Sequence, residues 1–186
     1  MRRVFVATYY QAITVEQEML IKNANLFFVG SADPALIQGP EGVGPVNISP
    51  KGGVPLHVLS PSRVAYLDYC GSGNETARHA INGGPVTVMI CSFEEEDPAV
   101  VRLYGKATVS SLENLPTDGL LRNKTADEEI GLDKRQVITI DIESTATSCG
   151  YGVPVLDYVK QRNRNQRGNA YKGSRRNLQI QTGKDN

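Results

Sequence analysis

Hydrophobic and polar positions alternate along most of this chain with the two-residue period of strands, and only briefly with a helical one. Val137 to Glu143 is the clearest case: Ile138, Ile140 and Ile142 take turns with Thr139, Asp141 and Glu143, the signature of a half-buried antiparallel strand. Apolar-rich runs at Leu26 to Gly30, Val46 to Ser49, Leu56 to Leu59, Val64 to Tyr69, Pro85 to Phe93 and Val100 to Ser110 predict six more strands. Turn-forming residues separate them, among them Pro50-Lys51-Gly52-Gly53, Ser60 to Arg63 and the solvated acidic turn Glu94 to Pro98. Ala32 to Gly44 and residues 111 to 134 read as long loops.

Helices are few. Thr14-Val-Glu-Gln17 fits a capping box and predicts a short helix ending near Asn25. Ser72-Gly-Asn-Glu75 fits another, predicting a helix over 73–81 stopped at Asn82-Gly83-Gly84. Pro154 suits the first turn of a third, running on through Val159. About seven strands without long intervening helices predict a mainly β fold, an antiparallel sheet closed or packed on itself with peripheral helices.

The length of 186 residues accommodates one domain, expected over 1–160, followed by a basic tail over 161–186. The net charge of zero conceals this asymmetry: from Lys160 onward there are eight Lys or Arg against Asp185 alone. The tail contains one aromatic, Tyr171, where single-strand binders interleave several, so nucleic acid is not the expected partner. No apolar run approaches the roughly 18 residues of a spanning helix, and Thr8, Gln11 and Glu16 interrupt any signal-peptide core after Met1-Arg2-Arg3. The expectation is a soluble protein of the cytoplasm or nucleus. Cys70, Cys91 and Cys149 form no CxxC, and His57 and His79 are the sole histidines, so neither a disulfide framework nor a metal site is expected.

Candidate chemistry gathers in two segments, Val46 to Gly53 and Asp68 to Arg78. In the second, glycines leave backbone amides accessible where a helix starts, beside the polar groups of Ser72, Asn74 and Thr76. Arg78 follows within two turns, and Lys51 ends a strand that could lie alongside; together they would neutralise a phosphate. Glu75 opposes this by repelling an incoming anion, and serine-glycine caps and Lys-Gly-Gly turns more often bind nothing. Cys149 reads as part of a turn that lets Tyr151 pack, Tyr69 and Tyr104 as core or interface aromatics, His57 as a satisfied strand residue and His79 as a helix-surface residue.

From about Val15 to Tyr158 the chain resembles the pyridoxamine 5′-phosphate oxidase-like family of FMN-binding split barrels. The resemblance is carried in order by Leu26-Phe-Phe-Val-Gly-Ser31, Val46-Asn-Ile-Ser-Pro-Lys-Gly52, Ser62-Arg-Val-Ala-Tyr-Leu-Asp68, Gly71-Ser-Gly-Asn-Glu-Thr-Ala77, Val101-Arg-Leu-Tyr-Gly105 and Ser148-Cys-Gly-Tyr-Gly-Val-Pro154. It implies a six- to seven-stranded split barrel that forms a homodimer with FMN shared across the interface. By that correspondence Ser49, Lys51, Ser72, Asn74, Thr76 and Arg78 would contact the cofactor, and no catalytic residue is assigned. Departures matter as well. Val46 stands where the oxidases proper have an arginine, Thr76 where they have a lysine, and the chain lacks tryptophan and any histidine after residue 80. A dianionic substrate phosphate needs several fixed cations, so oxidation of pyridoxamine phosphate is not expected. The alternative expectation is a split barrel that has lost flavin and serves as a binding module.

Overall fold

In the computed structural model, the described residues are 7–39, 44–70, 73–96, 98–112 and 134–161. In chain order the elements are β1 (Thr8–Tyr10), α1 (Val15–Asn23), β2 (Leu26–Ala32), β3 (Val46–Gly52), β4 (His57–Ser60), β5 (Arg63–Tyr69), α2 (Glu75–Ile81), β6 (Pro85–Cys91), β7 (Ala99–Ser110) and β8 (Lys134–Cys149). The expected seven-strand pattern is present, joined by the short β1, which pairs with β8 off the main path.

Seven strands follow the order β3-β2-β6-β7-β8-β5-β4, each neighbouring pair antiparallel. Inward faces carry the β-branched and aromatic residues that the alternation marked. Val29, Val64, Tyr66, Val88, Ile90, Leu103, Ile138 and Ile140 are completely buried in one cluster, each such side chain contributing about 1.5–3 kcal/mol relative to exposure. Phe27 of β2 meets Tyr66 of β5 edge to face, with centroids 5.4 Å apart. Those strands are far apart in the sheet order, so the sheet has curled until its two sides share one core. Pro50 lies in β3, an edge strand, where its missing N–H costs no ladder bond.

Helix α1 begins as its capping box predicts: Thr14 Oγ1 accepts from the Gln17 amide, and the Gln17 side chain accepts from the Thr14 amide. Gln17 is also buried, donating to Thr147 Oγ1 at 2.9 Å and accepting from Thr145 Oγ1 at 3.0 Å, which staples α1 to β8.

Three expectations change. α2 starts at Glu75, not 73, with Asn74 as its cap and no side-chain capping bond from Asn74; Ser72 of the expected capping box lies outside the described residues. Residues 154–159 are not helical. They run irregularly, with Leu156 N–H donating to Phe93 O at 2.9 Å, because a tether to a neighbouring loop replaces the internal bonds a short helix nucleates poorly. β8 extends from 134 to 149, well beyond 137–143, since ladder bonds to β5 and β7 hold its polar ends in place. Of the loop expected over 111–134, residues 113–133 are outside the described set, as is the tail after Gln161.

Candidate functional site

The curl of the sheet brings Lys51, at the end of edge strand β3, to Asp68 on β5. Its ammonium lies 2.8 Å from Asp68 Oδ1 and 5.5 Å from the centroid of the Tyr66 ring. The other Asp68 oxygen accepts from Gln136 Nε2 at 2.9 Å, and the same nitrogen donates to Asn74 Oδ1 at 2.8 Å. Lys51 and Asn74 thus stand at the two ends of one hydrogen-bonded chain. Its polarity fixes both amides: the carboxylate can only accept, so Gln136 presents nitrogen, and Asn74 must present oxygen to it. The Asn74 NH₂ group makes no hydrogen bond among the described residues.

The same corner carries a cation outside both candidate segments. Arg135 donates from Nη1 to Gly73 O and from Nη2 to Tyr69 O, both at 2.9 Å. Its position follows from a slip in the ladder: Asp68 pairs with Gln136 and Tyr69 with Lys134. Arg135 is therefore the extra residue of a β-bulge, a feature that re-aims a side chain. Residue 134 closed the expected loop and 135–136 fell in no expected element, and only the Lys-Arg-Gln run ahead of the isoleucine alternation could have marked them.

The other sequence candidates separate. Ser49 Oγ accepts from Asn47 Nδ2 at 2.9 Å on β3. Thr76 is buried, and its Oγ1 has no hydrogen-bond partner among the described residues. Arg78 is engaged elsewhere: Nη1 is 3.6 Å from Asp33 Oδ2, Nη2 is 2.9 Å from His79 Nε2, and its guanidinium lies against Gly39. Since a guanidinium only donates, His79 Nε2 accepts and Nδ1 carries the proton given to Ser31 Oγ at 2.9 Å.

His79 is completely buried, not a helix-surface residue, because this face of the short α2 packs onto the sheet. Burial, then the Arg78 guanidinium, hold its imidazole below the ordinary histidine range. Asp33 binds Asn82 Nδ2 at 3.0 Å and the amides of Ala35 and Ile37; the Asn82 hydrogen bond leads the effects that keep its carboxyl below the usual value. Burial and the nearby Asp68 charge push the Tyr66 phenol far up.

Tyr151 is 71% exposed, so the turn around Cys149 does not pack it inward. An open groove of about 1600 Å³ lies between α1 and residues 156–161 and takes in neither the Lys51 corner nor Arg78. Among the described residues there is no group of three His, Cys, Asp or Glu able to hold a metal, and no helix is long and apolar enough to cross a membrane.

A curled antiparallel sheet whose edge strand β3 is brought to β5, next to the other edge, over a shared core and through an ion pair, flanked by two short helices, is a split barrel. Over 135 residues, 71% of its length, the chain is 40% identical to the pyridoxamine 5′-phosphate oxidase family protein ustO of Aspergillus flavus. Over that stretch it belongs to the pyridoxamine 5′-phosphate oxidase-like family; the match spans 50% of the relative. No protein-family model matches the chain. Among solved structures it is similar to a candidate pyridoxamine 5′-phosphate oxidase of Lactobacillus delbrueckii (22% identity, 73% of this chain and 94% of that one, TM-score 0.48). It is also similar to HupZ of Group A Streptococcus (21% identity, 70% and 90%, TM-score 0.46). A third similarity is to an FAD binding protein of Mycobacterium smegmatis (12% identity, 74% and 96%, TM-score 0.43).

Proposed function

We propose that this chain is an FMN-binding split-barrel protein, a flavin-dependent oxidoreductase that does not oxidise pyridoxamine phosphate. The observation that carries the reading is the chain from Lys51 through Asp68 and Gln136 to Asn74, which holds a cation and an amide donor on one corner in fixed orientation. The donor set fits the anionic end of a nucleotide: an ammonium and an amide NH₂ with no partner among the described residues; the buried hydroxyl of Thr76, unpartnered among the described residues, joins them only by the family correspondence. FMN, when bound, would supply hydride and electron transfer.

The residues of this chain would bind and orient. Asp68 holds Lys51 in place and tempers its charge, so that the ammonium contributes a directed hydrogen bond more than a bare charge. Gln136 keeps the Asn74 carbonyl turned inward and its NH₂ outward. Arg78 serves the Asp33 and His79 cluster, and Ser49 would contribute through its hydroxyl from β3. The case against pyridoxamine phosphate is the shortage of matching cations. Val46 and Thr76 stand at two positions where the oxidases have basic residues, and both histidines are committed to the fold, His79 completely buried and His57 half-buried.

A homodimer belongs to the same proposal. Val46 and Ile48 on the outer side of edge strand β3 are 62% and 70% exposed, an apolar pair that a second copy would cover.

One observation favours a second reading, a split barrel without flavin acting as a binding module. Ser49, Lys51, Asn74 and Arg78 are each already bonded within the chain. Titration of purified protein into FMN separates the two. Quenching of flavin fluorescence at micromolar protein is expected. No quenching at high micromolar protein selects the second reading, and conversion of pyridoxamine phosphate to the aldehyde at enzyme-like rates overturns the argument from missing cations.

A further inference from the structure

We propose that Arg135 is the residue that receives the anionic, phosphate-monoester end of the ligand; this rests on the flavin reading above and adds to it a residue outside both candidate segments. Lys51 and Arg135 differ in how they are paired. Lys51 is matched by the carboxylate of Asp68. Arg135 is held by two backbone carbonyls, Tyr69 O and Gly73 O, and by no carboxylate among the described residues.

Neutral carbonyls orient a guanidinium without cancelling its charge. Two of its five N–H donors are used in these bonds, leaving a fork that suits two oxygens of one phosphate. Arg135 retains partial solvent access, so this charge is available to a ligand.

The bulge supplies the second, independent argument. In a regular ladder residue 135 would pair across to β5 and send its side chain to one face of the sheet. As the extra residue of the slip between Asp68 and Tyr69, it instead reaches along the strand end to the carbonyls that flank the turn before α2. Bulges recur beside functional sites for this re-aiming. The opposing group is Glu75, whose carboxylate folds over Gly73. It lowers the potential at the corner and sets a brake on anion affinity.

The test compares FMN with riboflavin, which lacks the phosphate, on the wild type, Arg135→Gln, Arg135→Lys and the control Arg63→Gln, an exposed arginine paired with Asp141. Loss of a charge-assisted phosphate contact is expected to weaken FMN about ten- to a hundred-fold in Arg135→Gln, with riboflavin changed less than about two-fold. Arg135→Lys should fall between, and Glu75→Gln should bind FMN more tightly than wild type. Equal weakening of both flavins would mean that Arg135 only braces the corner and would overturn the assignment, as would unchanged FMN affinity. If the wild type binds neither flavin, the flavin reading fails by itself. Arg135 is then judged by inorganic phosphate, which should raise the thermal midpoint of the wild type and not of Arg135→Gln; equal responses overturn the proposal.

Discussion

Lys51 and Asp68 form an ion pair of 2.8 Å between strands that do not neighbour each other in the sheet. β3 is one edge, β5 is next to the other, and the pair closes the barrel above the Phe27–Tyr66 contact that closes it from within. Both side chains are largely shielded, at 21% and 11% exposure. Lys51 is therefore a structural residue of the seam whatever it also does for a ligand.

That dual role gives the first prediction. Lys51→Met leaves Asp68 short of a partner and should cost about 2 kcal/mol of stability, seen as a lower urea midpoint. Asp68→Leu should cost a similar amount. The double variant should lose clearly less than the two together, because it leaves neither charge stranded. Additive losses would mean that the pair contributes nothing across the seam.

Thr76 offers a prediction of opposite sign. Its hydroxyl is buried and unpartnered, so Thr76→Val, nearly isosteric, removes a desolvated polar group and should raise stability by about 1 kcal/mol. The same substitution should weaken FMN, if that hydroxyl serves the ligand. Thermal midpoints without flavin and fluorescence titration with it read the two effects separately, and a destabilised Thr76→Val would mean that the hydroxyl has a partner.

The buried His79 makes stability depend on pH. Its folded-state affinity for protons is below the ordinary value of 6.5, so between the folded and unfolded values the unfolded chain binds more protons. Stability then rises with pH. It is complete above about 6.5 and falls as the pH drops below that value. Protonation would set a second donor against the Arg78 guanidinium that faces Nε2. His57, lowered by burial alone, acts in the same direction. Urea midpoints at pH 7.5 and 5.5 should differ clearly in the wild type and less in His79→Gln; equal differences would refute the assignment to His79.

Gly105 tests the barrel geometry. A Cβ there would collide with the carbonyl oxygen of Asp141, beside the second bulge of β8. Backbone cannot yield as a side chain does, so Gly105→Ala should cost well over 1 kcal/mol. Gly152, where a Cβ meets nothing within 4 Å, should tolerate alanine. Comparable unfolding midpoints for both variants would contradict the close approach of β7 and β8.

The amino-acid order alone determined seven strand segments, where α1 begins and which faces are buried, because these follow from periods of two and from caps read within four residues; the short β1 was not legible in it. It also marked Lys51 and Asn74, through a strand end and a glycine-rich corner. Long-range pairing decided the rest. Asp68 and Gln136 join Lys51 to Asn74 only because the sheet curls. His79 is buried only because α2 lies on the sheet, and Arg78 turns to Asp33 on a loop more than forty residues earlier. Arg135 depends on a one-residue slip between β5 and β8, which has no local signature: a bulge is a property of two strands in register, and one strand's sequence does not contain its partner's.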